Sequence, residues 1–372
     1  MIYKAIGIMS GSALDGLDIV YVHFQETGGK WSYELQQAVT WPYTAAWASR
    51  LRQATGLSAL DYQLLHTDYG HYIGRQVNRF IEAYGLEHKV DLVASHGHTT
   101  FHLPAQLMTG QVGDGAAIAA QTELPVVSDL RAMDIAFGGQ GAPIVPIGEK
   151  LLMGQYGYFL NIGGIANIAA SSPGNDPARQ VLAFDVCPAN RVLNMLVGPL
   201  GLEYDEDGKT AAAGSIHSPL LSELNAQPYY RQPWPKSLAN DFGTDTIYPL
   251  VKKYKLSVQD ELRTYTEHIA FQLKQSLAAI DNTGQSSSVN RQLLATGGGA
   301  LNLFLIERIR EQLEEISTEV VVPAKDLVNY KEALIMALMG VLRWREEYNV
   351  LSSVTGARRN TINGAIWLGN EA

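Results

Sequence analysis

The sequence predicts an α/β protein of two duplicated domains, each a mixed sheet flanked by helices, and three observations predict it. The chain has 372 residues, about two and a half times an ordinary single domain. It is 46% apolar and 17% charged, the composition of an ordinary globular protein rather than of a disordered or fibrous one. One order of elements, a meander, helices, a short strand and a glycine-rich turn, occurs twice along the chain.

In the first half, Ile2 to Met9 reads as a buried strand. Ser10-Gly11-Ser12 and Asp15-Gly16 break it, and the β-rich run Leu17 to Phe24 follows. Gly28-Gly29 makes the next turn before Trp31 to Trp41, which completes a three-stranded meander. Ser58 with Asp61 resembles a capping box, and Leu60, Leu64, Ile73, Val77, Phe80, Ile81 and Tyr84 keep helical spacing after it. Val90 to Ala94 is a short apolar strand that ends in Ser95-His96-Gly97-His98-Thr99, so polar residues are delivered at a strand's carboxyl end.

The second half repeats the order. Tyr158 to Ile162 is a strand, Gly163-Gly164 a turn, Ile165 to Ala170 a returning strand, and Gln180 to Phe184 a third strand before Asp185. A helix starts near Ser257, with Asp260 in the capping pattern, and carries Leu262, Tyr265, Ile269, Leu273, Leu277 and Ile280 on one face. Leu293 to Ala295 then leads into Thr296-Gly297-Gly298-Gly299-Ala300, ahead of helices over Leu301 to Glu315 and Glu332 to Trp344. Ser171 to Ala178 and Ser286 to Ser288 read as surface loops. The glycine-rich Gly138 to Gly141 sets the expected boundary, giving domains 1–139 and 140–372, with the extreme C-terminus packing back on the first domain and the active cleft between the copies.

Composition narrows the function. With 28 basic and 37 acidic residues the net charge is -9, which argues against a nucleic-acid partner because phosphates are repelled. One cysteine, Cys187, excludes an internal disulfide and is compatible with a reducing compartment. The longest apolar stretch, Ala333 to Leu342, falls well short of the roughly 20 residues a membrane span needs, and the first residues lack a secretory apolar core. The expectation is a cytoplasmic protein without a membrane partner.

Several signatures fail on inspection. Asp207-Gly208-Lys209-Thr210 imitates the end of a P-loop, but Glu203 stands where the first glycine should be. No G-x-G-x-x-G follows a strand, and neither H-E-x-x-H nor G-x-S-x-G occurs. His96, His98 and His102 suggest a metal site, yet no second cysteine or acidic pair completes it. They read instead as polar lining of the cleft or as hydrogen-bonded loop residues.

Gly7 to Asp18, GIMSGSALDGLD, is the most informative short segment. It is compatible with a plain hairpin. It also suits phosphate binding, because small residues let backbone N–H groups approach phosphate oxygens while Asp15 or Asp18 stands near a magnesium ion. Gly163 and Gly164 offer a second such turn, and Gly297, Gly298 and Gly299 a surface against which a purine and ribose could pack. Asp185 could cap a helix beginning near Ala189 or, at a strand's end, accept a proton from water or a hydroxyl.

The chain resembles the anhydro-N-acetylmuramic acid kinase family over nearly its full length. The resemblance rests on Gln111 to Gly115, on Asp129 to Pro146 (DLRAMDIAFGGQGAPIVP), on Asn161 to Asn167 and on Ser353 to Ala357. It implies an actin-like, ribonuclease H-like fold and ATP-dependent opening of a 1,6-anhydro sugar with phosphorylation at O6. It also implies that Asp185 is the catalytic aspartate that deprotonates the attacking water, and that Glu332 matches a glutamate of the active cleft. As a plain structural residue, Glu332 would be a first-turn acid favoured by the helix dipole.

The expected ATP contacts are Gly11, Ser12, Ala13, Asp15, Gly16, Asp18, Gly163, Gly164, Gly297, Gly298 and Gly299, with magnesium at Asp15 through water. His96, His98, Asn167 and Asn190 are expected to face the sugar, and a homodimer is compatible with the chain. Three segments depart from the family pattern: Ala13 in G-T-S-L-D, Val186, Cys187 and Ala189 in F-D-T-G-P-G-N, and Leu238 to Asn240 in P-K-S-T-G-R. They motivate two other readings, a kinase for another anhydro or amino sugar and a nucleotide-binding regulator with little catalysis.

Overall fold

Strand β1 (Ile2–Ser10) runs antiparallel to β2 (Gly16–Thr27), which turns through Gly28 and Gly29 into β3 (Lys30–Pro42). The computed structural model describes residues 1–11, 14–170, 181–234, 236–238, 241–282 and 291–369. The expected contacts Ser12 and Ala13 and the loops at Ser171 to Ala178 and Ser286 to Ser288 lie outside them. Helix Ala59–Tyr84 follows β3. The Asp61 amide donates to Ser58 Oγ at 3.2 Å, and Gly85 ends the helix in the left-handed region at φ +59°. Strand β4 (Leu92–Ser95) then lies parallel to β1, β5 (His98–Leu103) and β6 (Met108–Val112) form a small ribbon, and β7 (Val126–Ser128) lies parallel to β4.

The remaining strands are β8 (Tyr158–Ile162), β9 (Ile165–Ala170), β10 (Leu182–Pro188), β11 (Gln292–Thr296), β12 (Glu319–Val321) and β13 (Ala365–Trp367). The chain divides into two compact units, Met1–Met153 with Tyr330–Ala372, and Gly154–Asn329. The first unit holds the sheet β13-β7-β4-β1-β2-β3 and the second the sheet β10-β9-β8-β11-β12. Apart from β13, the two share one topology. An antiparallel meander comes first, and two further strands are then added parallel on the far side of its first strand. Parallel neighbours require a crossover. Helix Ala59–Tyr84 stands in that connection in the first unit and helix Val258–Asp281 in the second. The duplicated α/β architecture is therefore present in each unit's own topology.

Each unit has its own core. In the first, Ile6, Ile8, Ile19, Tyr69, Ile73, Val77 and Phe80 pack together. Leu60 and Leu64, which keep the helical spacing, are nonetheless 70% and 54% exposed, because the face turned inward runs through Leu65, Tyr69 and Ile73. In the second, Leu262, Tyr265, Ile269, Leu273, Leu277 and Ile280 are buried as their spacing predicts. A Cβ at Gly7 would stand 2.0 Å from the Ala333 carbonyl oxygen, so β1 needs glycine there to lie against helix Lys325–Trp344.

Three sequence expectations differ from the structure. The first unit runs to Met153 rather than to 139 and regains the chain at Tyr330. Gly138 to Gly141 form a turn inside it, since the Gly141 amide donates to Asp134 Oδ2 at 2.8 Å and the Gln140 amide to the Thr355 carbonyl at 2.8 Å. The helix expected over Glu332 to Trp344 begins at Lys325, which leaves Glu332 two turns inside it and away from the dipole of its first turn. Asp185 lies within β10, not beyond a strand that ends at Phe184. Among the described residues no helix is long and apolar enough to cross a membrane.

Candidate active site

Four strands of the second unit set polar residues in one transverse row. Asn161 of β8 stands opposite Asn167 of β9, Asn167 opposite Asp185 of β10, and Thr296 of β11 beside Asn161. Residues paired across neighbouring strands present their side chains to the same face. At Asp185 the ladder breaks: the register shifts between Asp185 and Cys187, leaving Val186 as the extra residue of a bulge.

The segment around Lys236 holds Asp185 in place. The Asp185 amide donates to the Lys236 carbonyl at 3.2 Å, and the Leu238 amide donates to Asp185 Oδ2 at 2.8 Å. Tyr229 adds a bond from its hydroxyl to the Asp185 carbonyl at 2.7 Å. Burial raises the Asp185 carboxyl above its ordinary value, and the Leu238 bond opposes part of that rise. Oδ1 has no donor among the described residues. A fixed carboxylate of raised basicity with one free oxygen is suited to take a proton. Capping is not its duty: the residue before helix Asn190–Val197 is Ala189, and no side chain caps that helix.

Two glycine turns of the same unit meet around Asn190. Its amide donates to the Gly163 carbonyl at 3.0 Å, its Nδ2 to the Ile162 carbonyl at 3.1 Å, and the Ala189 amide to the Gly164 carbonyl at 2.8 Å. A Cβ at Gly297 would stand 2.5 Å from Asn161 Oδ1, and one at Gly299 2.9 Å from Asn190 Oδ1. Those two glycines allow the close packing. Gly163, Gly164 and Gly298 differ, because the nearest atoms to their Cβ positions lie at 3.5 Å, 3.6 Å and 3.7 Å respectively, ordinary contact that does not itself demand glycine.

In the first unit, the Cβ position of Gly11 has nothing within 4 Å, whereas a Cβ at Gly16 would stand 2.8 Å from the Trp41 carbonyl oxygen. Gly11 is open, and Gly16 serves the packing of β2 on β3. Asp15 is exposed. Asp18 accepts the Thr40 hydroxyl at 2.6 Å. Burial raises its pKa to about 6, the Thr40 bond opposes the rise, and the charges of Asp15 and Glu332 add to it.

His96 uses both ring nitrogens on the protein, with Nδ1 2.9 Å from the Gly97 carbonyl oxygen and Nε2 accepting from Arg131 Nε at 2.7 Å. Burial and the Arg131 charge lower its pKa to about 3, so it is neutral at pH 7. His98 Nδ1 meets Ser10 Oγ at 3.0 Å, Ser10 Oγ meets the Tyr43 hydroxyl at 2.7 Å, and its Nε2 has no partner among the described residues. No group of three or more His, Cys, Asp or Glu able to hold a metal occurs among the described residues.

The family model for anhydro-N-acetylmuramic acid kinase matches residues 3–369. The chain belongs to that family. An anhydro-N-acetylmuramic acid kinase of Francisella tularensis subsp. novicida is 34% identical over 383 residues, covering 98% of each chain. One of Hydrogenovibrio crunogenus is 32% identical over 378 residues, covering 97% of each, and one of Photobacterium profundum is 32% identical over 389 residues, covering 98% of this chain and 99% of that one. Membership makes this chain a kinase and sets aside the regulator reading.

The departures from the family pattern now have physical locations. Val186, Cys187 and Ala189 are 1%, 0% and 0% exposed and belong to the apolar core of the second unit. Burial pushes the Cys187 thiol far up, so it is no nucleophile. Leu238 reaches Asp185 through its backbone, so the side chain at that altered position is not what Asp185 uses. Ala239 and Asn240 lie outside the described residues. Asn161, Tyr229 and Lys236 also belong to this site; Asn161 carried a sequence signal inside its glycine motif and Lys236 inside the family's P-K-S pattern, while Tyr229 carried none. Lys236 Nζ lies 4.8 Å from the centroid of the Tyr229 ring and 5.4 Å from that of Phe184.

The residues present fit a nucleotide and its ion. In the first unit, the unobstructed backbone at Gly11 suits the approach of a phosphate. A hard cation takes carboxylate oxygen and water, and magnesium is commonly held by one or two carboxylates plus substrate phosphates. Exposed Asp15, with Asp18 close enough to feel its charge, is such a donor.

Proposed function

We propose that this kinase opens 1,6-anhydro-N-acetylmuramic acid with water and phosphorylates the freed O6, in the recycling of cell-wall sugars. The observation that carries the reading is Asp185, fixed by three hydrogen bonds, two to its backbone and one to its carboxylate, beside a bulge and made more basic by burial. Asp185 takes the proton of a water whose oxygen attacks the anomeric carbon. The bond from that carbon to O6 breaks, and O6 takes the terminal phosphoryl group. ATP supplies that group when bound, and magnesium held near Asp15 offsets its charge. Gly11, Gly164 and Gly298 offer amides to phosphate oxygens, the Gly163 amide being taken by the Ile165 carbonyl at 3.2 Å, while Asn167, on the row beside Asp185, and His98 offer hydrogen bonds to the sugar. Glu332 biases Asp18 by its charge. ATP use and the single buried cysteine support a cytoplasmic setting.

Turnover in ¹⁸O-labelled water tests the reading. The product should be N-acetylmuramic acid 6-phosphate with the label at the anomeric hydroxyl and one ADP formed per sugar. Phosphorylated product with no label, or ATP consumption that is independent of the anhydro sugar, would overturn it.

A further inference from the structure

Arg191 is the second residue of helix Asn190–Val197 and lies directly beside the Gly163–Gly164 turn. Its amide donates to the Gly164 carbonyl at 3.4 Å. From the Cβ position of Gly164, Arg191 Nε lies 3.6 Å away and Nη2 3.8 Å, so the guanidinium packs directly against that turn. Its Nε is enclosed and has no hydrogen-bond partner among the described residues. Among the described residues, no carboxylate forms an ion pair with Arg191.

An enclosed donor without an acceptor is costly, and it is offset only when an acceptor arrives. The one kind of acceptor that the surroundings favour is anionic. The charge of Arg191 has no counter-charge in an ion pair among the described residues, it sits in the first turn of a helix, where the dipole favours an anion, and the turn next to it carries no side chain at Gly163 or Gly164. A guanidinium matches two oxygens of a phosphoryl group at once, which a lone ammonium does not.

We propose that Arg191 is a phosphate-binding residue of this kinase, closing on phosphoryl oxygens held at the Gly163–Gly164 turn. The proposal rests on the reading of that turn as a nucleotide contact. The phosphoryl oxygens belong to the nucleotide or, after transfer, to the sugar phosphate, and the measurement separates the two.

The test compares wild type with Arg191→Gln, Arg191→Lys and Gly164→Val by calorimetric binding of a non-hydrolysable ATP analogue, ADP, adenosine and the sugar 6-phosphate, with thermal melts as the folding control. Loss of a charge-assisted hydrogen bond should weaken the ATP analogue about tenfold or more in Arg191→Gln. Adenosine binding should stay unchanged and Arg191→Lys should recover part of the loss. A loss confined to the sugar phosphate supports the phosphate role and assigns it to product. Phosphate ligands that bind Arg191→Gln as they bind wild type would overturn the proposal, as would an equal loss for adenosine. If Gly164→Val weakens the ATP analogue while Arg191→Gln does not, only the role of Arg191 fails. If neither variant changes it, the nucleotide reading of the turn fails as well.

Discussion

The Leu238 amide donates to Asp185 Oδ2 at 2.8 Å, fixing a side chain of the row through a backbone group of a segment more than fifty positions later. The bond holds down part of the rise that burial imposes on the Asp185 pKa. Leu238→Ala keeps the amide and should retain kcat within about twofold. Leu238→Pro removes the donor, so Asp185 should become harder to ionise and the acid limb of the pH–rate profile should move to higher pH. A proline variant whose profile matches wild type would show that the bond does not tune the base.

Asp185→Asn keeps the shape of the side chain and its acceptor oxygen for Leu238 but cannot take a proton at neutral pH. Removing a general base typically costs 10²–10⁴-fold, so kcat should fall by about 100-fold or more. Binding of an ATP analogue should stay within a few-fold of wild type. Steady-state turnover with a parallel binding titration separates the two, and near-normal kcat in the variant would remove Asp185 from the chemistry.

Asp18 gives a prediction about stability. Its folded pKa of about 6 lies above the ordinary aspartate value of 3.8, chiefly because of burial. A group with a raised folded pKa contributes its stability below the unfolded value and loses it as pH rises through the folded one. Stability should therefore decline from about pH 4 to about pH 6 on this account. Asp18→Asn, which can keep the bond from Thr40, should be more stable than wild type at pH 7 by on the order of 1–3 kcal/mol, and the gain should vanish below about pH 4. Denaturant melts across that range check it. Equal stability at pH 7 would mean that the buried charge costs little.

The local parts of this fold were legible in the sequence, and the long-range parts were not. The two helix starts at Ser58 and Ser257 are readable because the cap and its partner lie three residues apart. The glycine turns are readable because glycine interrupts apolar runs. The return of the chain to the first unit depends on contacts that no window contains. The Asp134 amide donates to Asn363 Oδ1 at 2.9 Å, Thr355 Oγ1 to Asp134 Oδ1 at 2.7 Å, and Trp367 Nε1 to Ser128 Oγ at 3.0 Å. At the site, Asp185 was visible through its family motif, but its place on a bulge is a fact of register between strands. Leu238 acts through its backbone and leaves no side-chain signal.

The altered residues after Asp185 yield the last prediction. If Val186, Cys187 and Ala189 lined the substrate site, replacing them with the family's Thr, Gly and Gly would change activity first. Their side chains are instead buried in the core of the second unit. Threonine at 186 would bring a hydroxyl into that core, and glycine at 187 and 189 would remove packed atoms and free the unfolded backbone. Together these changes should cost roughly 2–5 kcal/mol, seen as a fall in Tm of several degrees. At a temperature where the triple variant stays folded, kcat on the anhydro sugar should remain within a few-fold of wild type, because the Asp185 amide, carbonyl and Oδ2 keep their partners. A triple variant as stable as wild type, yet with kcat or sugar KM changed tenfold, would place these side chains at the substrate and revive the reading of a different sugar.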